Sequence, residues 1–426
     1  MEKKFKFFKT VLVVLLVSLF ATSNLFAAGS SESKSDEVVI EFQQWWAVEL
    51  PDGYMQNIVD EYYEQTGVRV KLLSAPFADT KTAIMSGISS NTVADIISVD
   101  GSWLYDFADQ GVLTNLSTLM SAEGTDQSLF TDQWRAKGSA YALPVLNFAY
   151  PMFVNMDILK DSGVDKLPET WSEFLDVCDA IAAHGYYPFA LNLSTASPSG
   201  IQNVYMGYAW ASDITMKDEN GEYKVAGNKD LIEFAEFYKA LYERGYLIPG
   251  MSALTEQDMT SKFISGEVAF IINSMAVLQA WRDDNPNMEI ATLGVPVRDG
   301  YTGKSGMCVA SWAVGITESC EHKEEALAFV EYLFGSEINA GLAETQSAFP
   351  GSSLANPDYS ASDPVFQDVY GMFAQGFPIN EFTGMKKANV IMVDFINALI
   401  PYMEGSVSVE DYLQDVQDSI DSVYNN

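Results

Sequence analysis

The chain has 426 residues, of which 24 are basic and 58 acidic, for a formal charge of -34. A surface this negative repels phosphate backbones and anionic lipid, which argues against nucleic acid as a partner. Hydrophobic residues at 48% and aromatics at 13% are enough for large cores, and the length fits two domains.

The first nine residues carry Lys3, Lys4, Lys6 and Lys9, followed by an apolar run from Val11 to Phe20 and the small residues Ala27, Ala28 and Gly29. This order is that of a secretory signal peptide, and residues 1-28 are assigned to it, with cleavage near Ala27 or Ala28. Ser18, Thr22, Ser23 and Asn24 interrupt the run before it reaches the roughly twenty apolar residues that a membrane span needs. Residues 29-37 (GSSESKSDE) read as a flexible leader. No cysteine stands near the cleavage site to take a lipid anchor, which favours a closed periplasm over free release from a single membrane.

From Val38 strand and helix alternate. Val38 to Phe42 is a short strand, and Tyr54, Ile58, Val59, Tyr62 and Tyr63 form a helical stripe that Gly67 ends. Val68 to Leu73 is the next strand, and a helix is predicted from a cap at Asp79. Asp95 to Val99 reads as a buried strand, and the helix Ser102 to Gln110 that follows stops at Gly111. This βαβαβ order predicts a mostly parallel sheet covered by helices.

Tyr141 to Asn155 (YALPVLNFAYPMFVN) contains two apolar strand-like runs, after which helices dominate. Thr170 and Glu173 predict a capping box for a helix through Ala183, and further helices are expected near Lys229 to Arg244 and Glu256 to Ile264. Val268 to Ile272, Ile290 to Val295 and Ser311 to Ile316 are strand candidates, and His322 to Phe334 a helix. The last ninety or so residues read as mainly helical, with amphipathic stretches at Lys386 to Met403 and, from a cap at Ser408, Val409 to Tyr424. Cys178, Cys308 and Cys320 are too few and too scattered for a disulfide framework, so buried free thiols are expected. His184 and His322 stand alone, and neither a metal site nor a cofactor is expected.

The segments ADIISVDGSWLYDFADQGVLTNLS (Ala94 to Ser117), GSAYALP (Gly138 to Pro144), VNMDILKDSGVDKLPETWSEFLDVCDAI (Val154 to Ile181), FISGEVAFIINS (Phe263 to Ser274) and WAVGITESCEHKEEALAFVEYLF (Trp312 to Phe334) stand in this order. In order and spacing they resemble the extracellular solute-binding proteins of sugar-type ABC importers, the family that includes maltose-binding protein. The resemblance implies an α/β, type II periplasmic-binding-protein fold, in which two domains joined by a hinge close over a ligand cleft. It implies crossings near Leu143 to Phe153 and Met307 to Ala313, with one lobe at 38-146 plus 309-338 and the other at 147-308 plus 339-426. It also implies a small-molecule ligand, a carbohydrate in the sense that the family binds sugars, and the permease subunits of an importer as partners. The net charge and the lack of a heptad pattern point to a monomer.

In such sheets ligands collect at the carboxyl ends of strands. Sugars need flat apolar faces together with amides or carboxylates that bind hydroxyls directionally. Trp45, Trp46, Trp103, Trp210 and Trp312 are candidates for the first task, and Gln44, Asp100, Asn147, Asn192 and Asn273 for the second, with Tyr150 at the crossover and Gln202 and Asn203 offered beside Asn192. Asp100 is equally suited to capping the helix behind it. After Ile272 the family's glycine turn and tryptophan are replaced by Asn273, Ser274, Met275 and Ala276, with Trp281 displaced. The candidate loops contain no lysine or arginine, which points to a neutral polyhydroxy ligand; Lys386 and Lys387 on a late helix are the exception. Two rival readings remain open, a binder of an anionic or other polar solute on the same fold and a secreted glycosidase, which needs two carboxyl groups flanking the scissile bond.

Overall fold

The computed structural model describes residues 37–424, so the signal peptide lies outside the described residues, as does all of the leader but Glu37. Twelve strands form two sheets: β1 (Val39–Gln44), β2 (Arg69–Ser74), β3 (Ile96–Val99), β4 (Trp134–Ala136), β5 (Ser139–Ala149), β6 (Met152–Asn155), β7 (Tyr187–Phe189), β8 (Val268–Ile272), β9 (Ile290–Leu293), β10 (Gly306–Ile316), β11 (Phe349–Pro350) and β12 (Phe377–Ile379). The first sheet runs β11-β5-β10-β3-β1-β2, with β4 on β5 and β12 on β10; the second runs β7-β8-β6-β9.

The predicted βαβαβ start is parallel, since β1 pairs in parallel with both β2 and β3. Beyond β3 the sheet becomes mixed, because β10 lies antiparallel to β3 and to β5. Sequence pattern follows layer position. Every residue of β3 (IISV) and of β8 (VAFII) is buried, as expected for strands covered on both faces. β1 alternates instead, burying Ile40, Phe42 and Gln44.

Local signals fix most helix ends. Gly67, at φ 75°, closes the helix Tyr54–Thr66 in the left-handed region that glycine adopts without penalty. Asp100 accepts from the Ser102 N–H (2.9 Å) and hydroxyl (2.5 Å) and so caps Gly101–Asp109. Thr255 and Asp258 form a reciprocal capping box for Glu256–Ile264. The helix expected from Asp79 begins at Phe77, because Pro76 supplies the extended entry residue and leaves Asp79 in the first turn. Thr170 caps Trp171–Ala183 as predicted, but the Glu173 carboxylate reaches the backbone N–H of Glu169, one residue upstream of the reciprocal position.

Three segments carry the chain between the sheets. β5 passes into β6 through Tyr150 and Pro151, and β9 into β10 through residues 294–305. The third leaves β11, forms the helix Pro364–Gln375 against β9, and returns as β12, pairing with Gly306–Cys308. β10 therefore starts five residues before the expected Ser311, its first turn held by β12, and its register on β5 shifts between Trp312 and Ala313. β5 stays in the first sheet to Ala149, and the helix Ser336–Thr345 packs with β11 against it. The last two helices, Ala388–Met403 and Val409–Tyr424, form a hairpin on Lys229–Glu243, with the rings of Tyr402 and Tyr412 stacked 5.1 Å apart. Cys178, Cys308 and Cys320 are free and buried.

A candidate ligand cleft

Tyr150, at the first crossing, is the point on which the two halves converge. Its hydroxyl lies 3.5 Å from the Asn203 amide nitrogen, which belongs to the second half. Burial drives the Tyr150 phenol far above its ordinary range, and the charges of Glu256, Asp100 and Glu49 add to this. Asp100 and Glu49 follow strands of the first sheet, at the carboxyl ends of β3 and β1, whereas Glu256 opens the helix that leads into β8 of the second. Charges from opposite halves thus act on one hydroxyl.

Glu49 ends the short helix Trp46–Glu49 and is hydrogen-bonded by Trp312 of β10. Desolvation first, and then repulsion from Glu256, push its carboxyl up to about 7, with the Trp312 hydrogen bond opposing. Burial likewise raises Glu256. Yet Glu49 is open to water and Glu256 only half-buried. Protein thus crowds both carboxyls on several sides while water still reaches them.

The aromatic residues sort into two sets. Trp46 is fully buried and lies flat on Trp312, with centroids 5.2 Å apart and planes 7° from parallel, and Phe42 and Phe148 pack on either side. The other set sits at the carboxyl ends of β1, β2 and β3. Trp45 meets Phe77 (5.1 Å) and Trp103 (6.0 Å) edge-on, Phe77 overlies Trp103 at 5.2 Å, and the Lys81 ammonium is 5.1 Å from the Trp103 ring centre. Phe77 is 41% exposed and is the open face of this cluster. Burial lowers the Lys81 pKa and nearby Asp100 partly restores it.

The polar candidates differ in how far they are already committed. Gln44 donates to Ser74 (2.6 Å) and accepts from the Ala47 N–H (2.8 Å), fixing the turn after β1. Asn147 accepts from Ser311 at 2.7 Å. Asn273 is engaged at both ends of its amide, donating to Thr260 and accepting from the Ser274 N–H. Trp210 is fully buried, its indole N–H held by Glu381 at 2.8 Å. Asn192 and Asn203 are different: both are buried, and the side-chain oxygen of each has no protein partner. Asn192 is pressed against Gly200, where a Cβ would stand 1.7 Å from its carbonyl oxygen, so only glycine admits this approach.

Phe77, Lys81 and Glu256 were not singled out. Phe77 had a signal, since it follows β2 at the same edge that nominated Trp45 and Trp103. Glu256 had none, because it stands before a helix and not after a strand. Trp281 packs on Phe153 (4.8 Å) and Phe263 (5.0 Å) in the core of the second half. Lys386 is spent on the last helix, donating to the Val423 carbonyl at 2.7 Å, and the Lys387 N–H is held by Asp106. Among the described residues, no three His, Cys, Asp or Glu side chains converge closely enough to hold a metal ion.

Residues 47–340 match the family of bacterial extracellular solute-binding proteins, and the chain belongs to that family. The multiple sugar-binding protein of Streptococcus mutans is 24% identical over 363 residues, 77% of this chain and 79% of that one. The GacH receptor of Streptomyces glaucescens, solved unliganded and with acarbose, superposes with a TM-score of 0.74 at 17% identity, over 92% of this chain and 99% of that one. Maltose-bound MalE3 of T. maritima gives 0.72 at 16% identity, over 90% and 99%. The fold is accordingly the two-domain α/β fold of periplasmic sugar-binding proteins, as expected.

Proposed function

We propose that this protein captures a sugar or oligosaccharide outside the cytoplasmic membrane and hands it to the permease subunits of an ABC importer. The observation that carries this reading is that Asn203 of the second half reaches the Tyr150 hydroxyl at the first crossing, while the side-chain oxygens of Asn192 and Asn203 are buried without partners. Such oxygens cost free energy unless a ligand hydroxyl reaches them, and only closure of one half on the other supplies partners from both sides at once. The open face of Phe77 gives a sugar ring an apolar surface. The relatives named for sugar binding support the same reading.

The proposed ligand-contacting set keeps Trp45, Trp103, Asp100, Tyr150, Asn192, Asn203 and Trp312 from the sequence and adds Phe77, Glu49 and Glu256. Export to the periplasm through a cleaved leader and a monomeric state complete the proposal. The test is thermal unfolding of the mature protein against a sugar panel, followed by calorimetry. A true ligand at a hundredfold excess over its Kd stabilises by about 2.7 kcal/mol. Stabilisation by amino acids or peptides and by no sugar rejects the reading.

One observation favours a second reading. Glu256 acts on Glu49 through its charge, and both carboxyls are raised, Glu49 to about 7; a carboxyl that keeps its proton near neutral pH is what a glycosidase needs as its general acid. Hydrolysis of the panel sugars by wild type but not by Glu49→Gln would favour that enzyme over a receptor.

A further inference from the structure

β10 is paired unevenly along the edge that meets β3 and β12. β12 holds it at Gly306–Cys308 and β3 from Ala313 to Ile316, so residues 309–312 have no strand partner on that side. Past the carboxyl end of β3, where a ligand collects, the strand therefore borders an open notch. Burial follows the same pattern, since Val309 and Ala310 are partly open to water while the residues on either side of them in β10 are buried.

Alternation decides what shares a face with Ala310. Cys308 and Trp312 flank it two residues away in β10; on β5 Phe148 is paired with it directly, and the Tyr150 N–H beyond donates to the Cys308 carbonyl at 3.0 Å. The rings of Phe148 and Trp312 meet at 5.1 Å on this face. At its other end the Cys308 thiol donates to the Gln202 carbonyl at 3.4 Å, which brings the π-helical turn Ile201–Tyr205 of the second half against it. Asn203, the next residue of that turn, reaches the Tyr150 hydroxyl. Of these five residues on β5 and β10, Ala310 alone is not buried. A rise of about 3.3 Å per residue sets Cys308 and Trp312 each about 7 Å from it, so its methyl group is the low point between two larger side chains.

The polar end of this floor suits one functional group. The Asn203 amide nitrogen donates to the Tyr150 oxygen at 3.5 Å, which leaves the phenol proton to give. The Asn203 side-chain oxygen, on a residue 6% exposed and with no protein partner, is left to take. Asn192, packed on Gly200 at the head of the same turn, adds a second unpartnered oxygen. A hydroxyl gives and takes at once and satisfies the Asn203–Tyr150 pair. A carboxylate only accepts and an ammonium only donates, so each leaves half of the pair unmet, and an ether or a deoxy carbon strands the Asn203 oxygen.

We propose that one ring of the ligand lies on β10 over Ala310 and that the Asn203–Tyr150 pair reads a free hydroxyl of that ring. The seat thus takes a neutral, unsubstituted sugar unit, and Ala310 sets its size. This rests on the sugar-receptor reading above and refines it. The mature protein, freed of ligand by unfolding and refolding, is titrated by calorimetry with glucose, galactose, mannose, xylose, maltose, cellobiose and lactose, and the tightest of these is taken through its monodeoxy and mono-O-methyl analogues. Wild type is expected to lose about tenfold or more in Kd at one hydroxyl position, deoxy and methylated alike, and Asn203→Leu and Tyr150→Phe to bring that loss to within about threefold. The comparison is made within each variant, so a change in fold stability cancels from it. Ala310→Val and Ala310→Leu should weaken the parent sugar progressively, the Leu variant by about tenfold or more, as the floor rises. Both Ala310 variants binding within about twofold of wild type overturn the seat. A hydroxyl penalty unchanged in Asn203→Leu and Tyr150→Phe, or absent at every position, overturns the assignment to this pair and leaves the sugar reading intact. Failure of every sugar overturns both readings together.

Discussion

Trp46 and Trp312 lie face to face, 5.2 Å apart and 7° from parallel, although one follows the first strand and the other sits in β10 where its register on β5 shifts. The contact fastens the loop after β1 to the strand that descends from the second crossing, and it leaves Trp46 with no surface for a ligand. Trp46→Ala is therefore expected to cost about 3–5 kcal/mol of stability, as for other buried tryptophans, seen as a lowered denaturant midpoint. A midpoint within experimental error of the parent would refute the structural role.

Phe77 should behave oppositely. It is the exposed member of the Trp45–Trp103 cluster, so Phe77→Ala removes little from the core. Its stability change is expected to stay within about 1 kcal/mol, while sugar affinity falls roughly tenfold through loss of the stacking face. Calorimetry and melting on the same variant separate the two effects.

The cleft acids predict a pH dependence of definite sign. Glu49 has an ordinary pKa of 4.5 and about 7 in the fold, facing Glu256, the Trp312 indole and Tyr150. A raised pKa means that the folded chain holds the proton more tightly than the unfolded one. The stability contributed is complete below about 4.5 and is lost as pH rises through about 7. The melting temperature of wild type minus that of Glu49→Gln should then decline across this interval. Glu256, also raised, contributes in the same direction, and the solvent-open side of Glu49 screens the effect. A difference that is flat or rises with pH would count against the assignment.

Glu381 sits apart from this chemistry and carries structure. Its carboxylate takes the Trp210 indole N–H at 2.8 Å and the Met216 backbone N–H at 3.1 Å, while burial raises its pKa and both bonds oppose that rise. Glu381→Ala leaves two buried donors unpaired and is expected to cost about 1–3 kcal/mol for each group stranded. Glu381→Gln, which keeps an acceptor, should recover a substantial part. Equal melting temperatures for the two variants would show that the hydrogen bonds do not matter.

The elements were legible where a local rule dictates them: the caps at Asp100, Thr170 and Ser408, the Gly67 stop, and the short, mostly apolar β3 and β8. What the chain order hides is long-range. Nothing near Gly306 announces that β12, some seventy residues later, lengthens β10, and nothing near Glu256 announces Glu49 on the other sheet. Tryptophans were equally ambiguous, because a large aromatic ring serves a core and a cleft by the same apolar surface. Trp46 and Trp210 went to the core and Phe77 stayed open, a division that depends on which neighbours the fold delivers.

The interleaving of the two sheets has a consequence for how the chain is made. β3 is buried on both faces, and its partner on one side is β1, in place almost at once, but the other edge waits for β10, more than two hundred residues downstream. β5 waits for the same strand. Until Gly306–Ile316 exists, the first sheet has two unpaired apolar edges, the sort of surface that recruits other chains. A chain ending before Gly306 should accumulate as aggregate however sound its first 300 or so residues look, whereas one reaching past β11 has every strand but β12 with which to close the first sheet. Keeping the nascent protein extended until that late strand arrives is thus a requirement written into its topology.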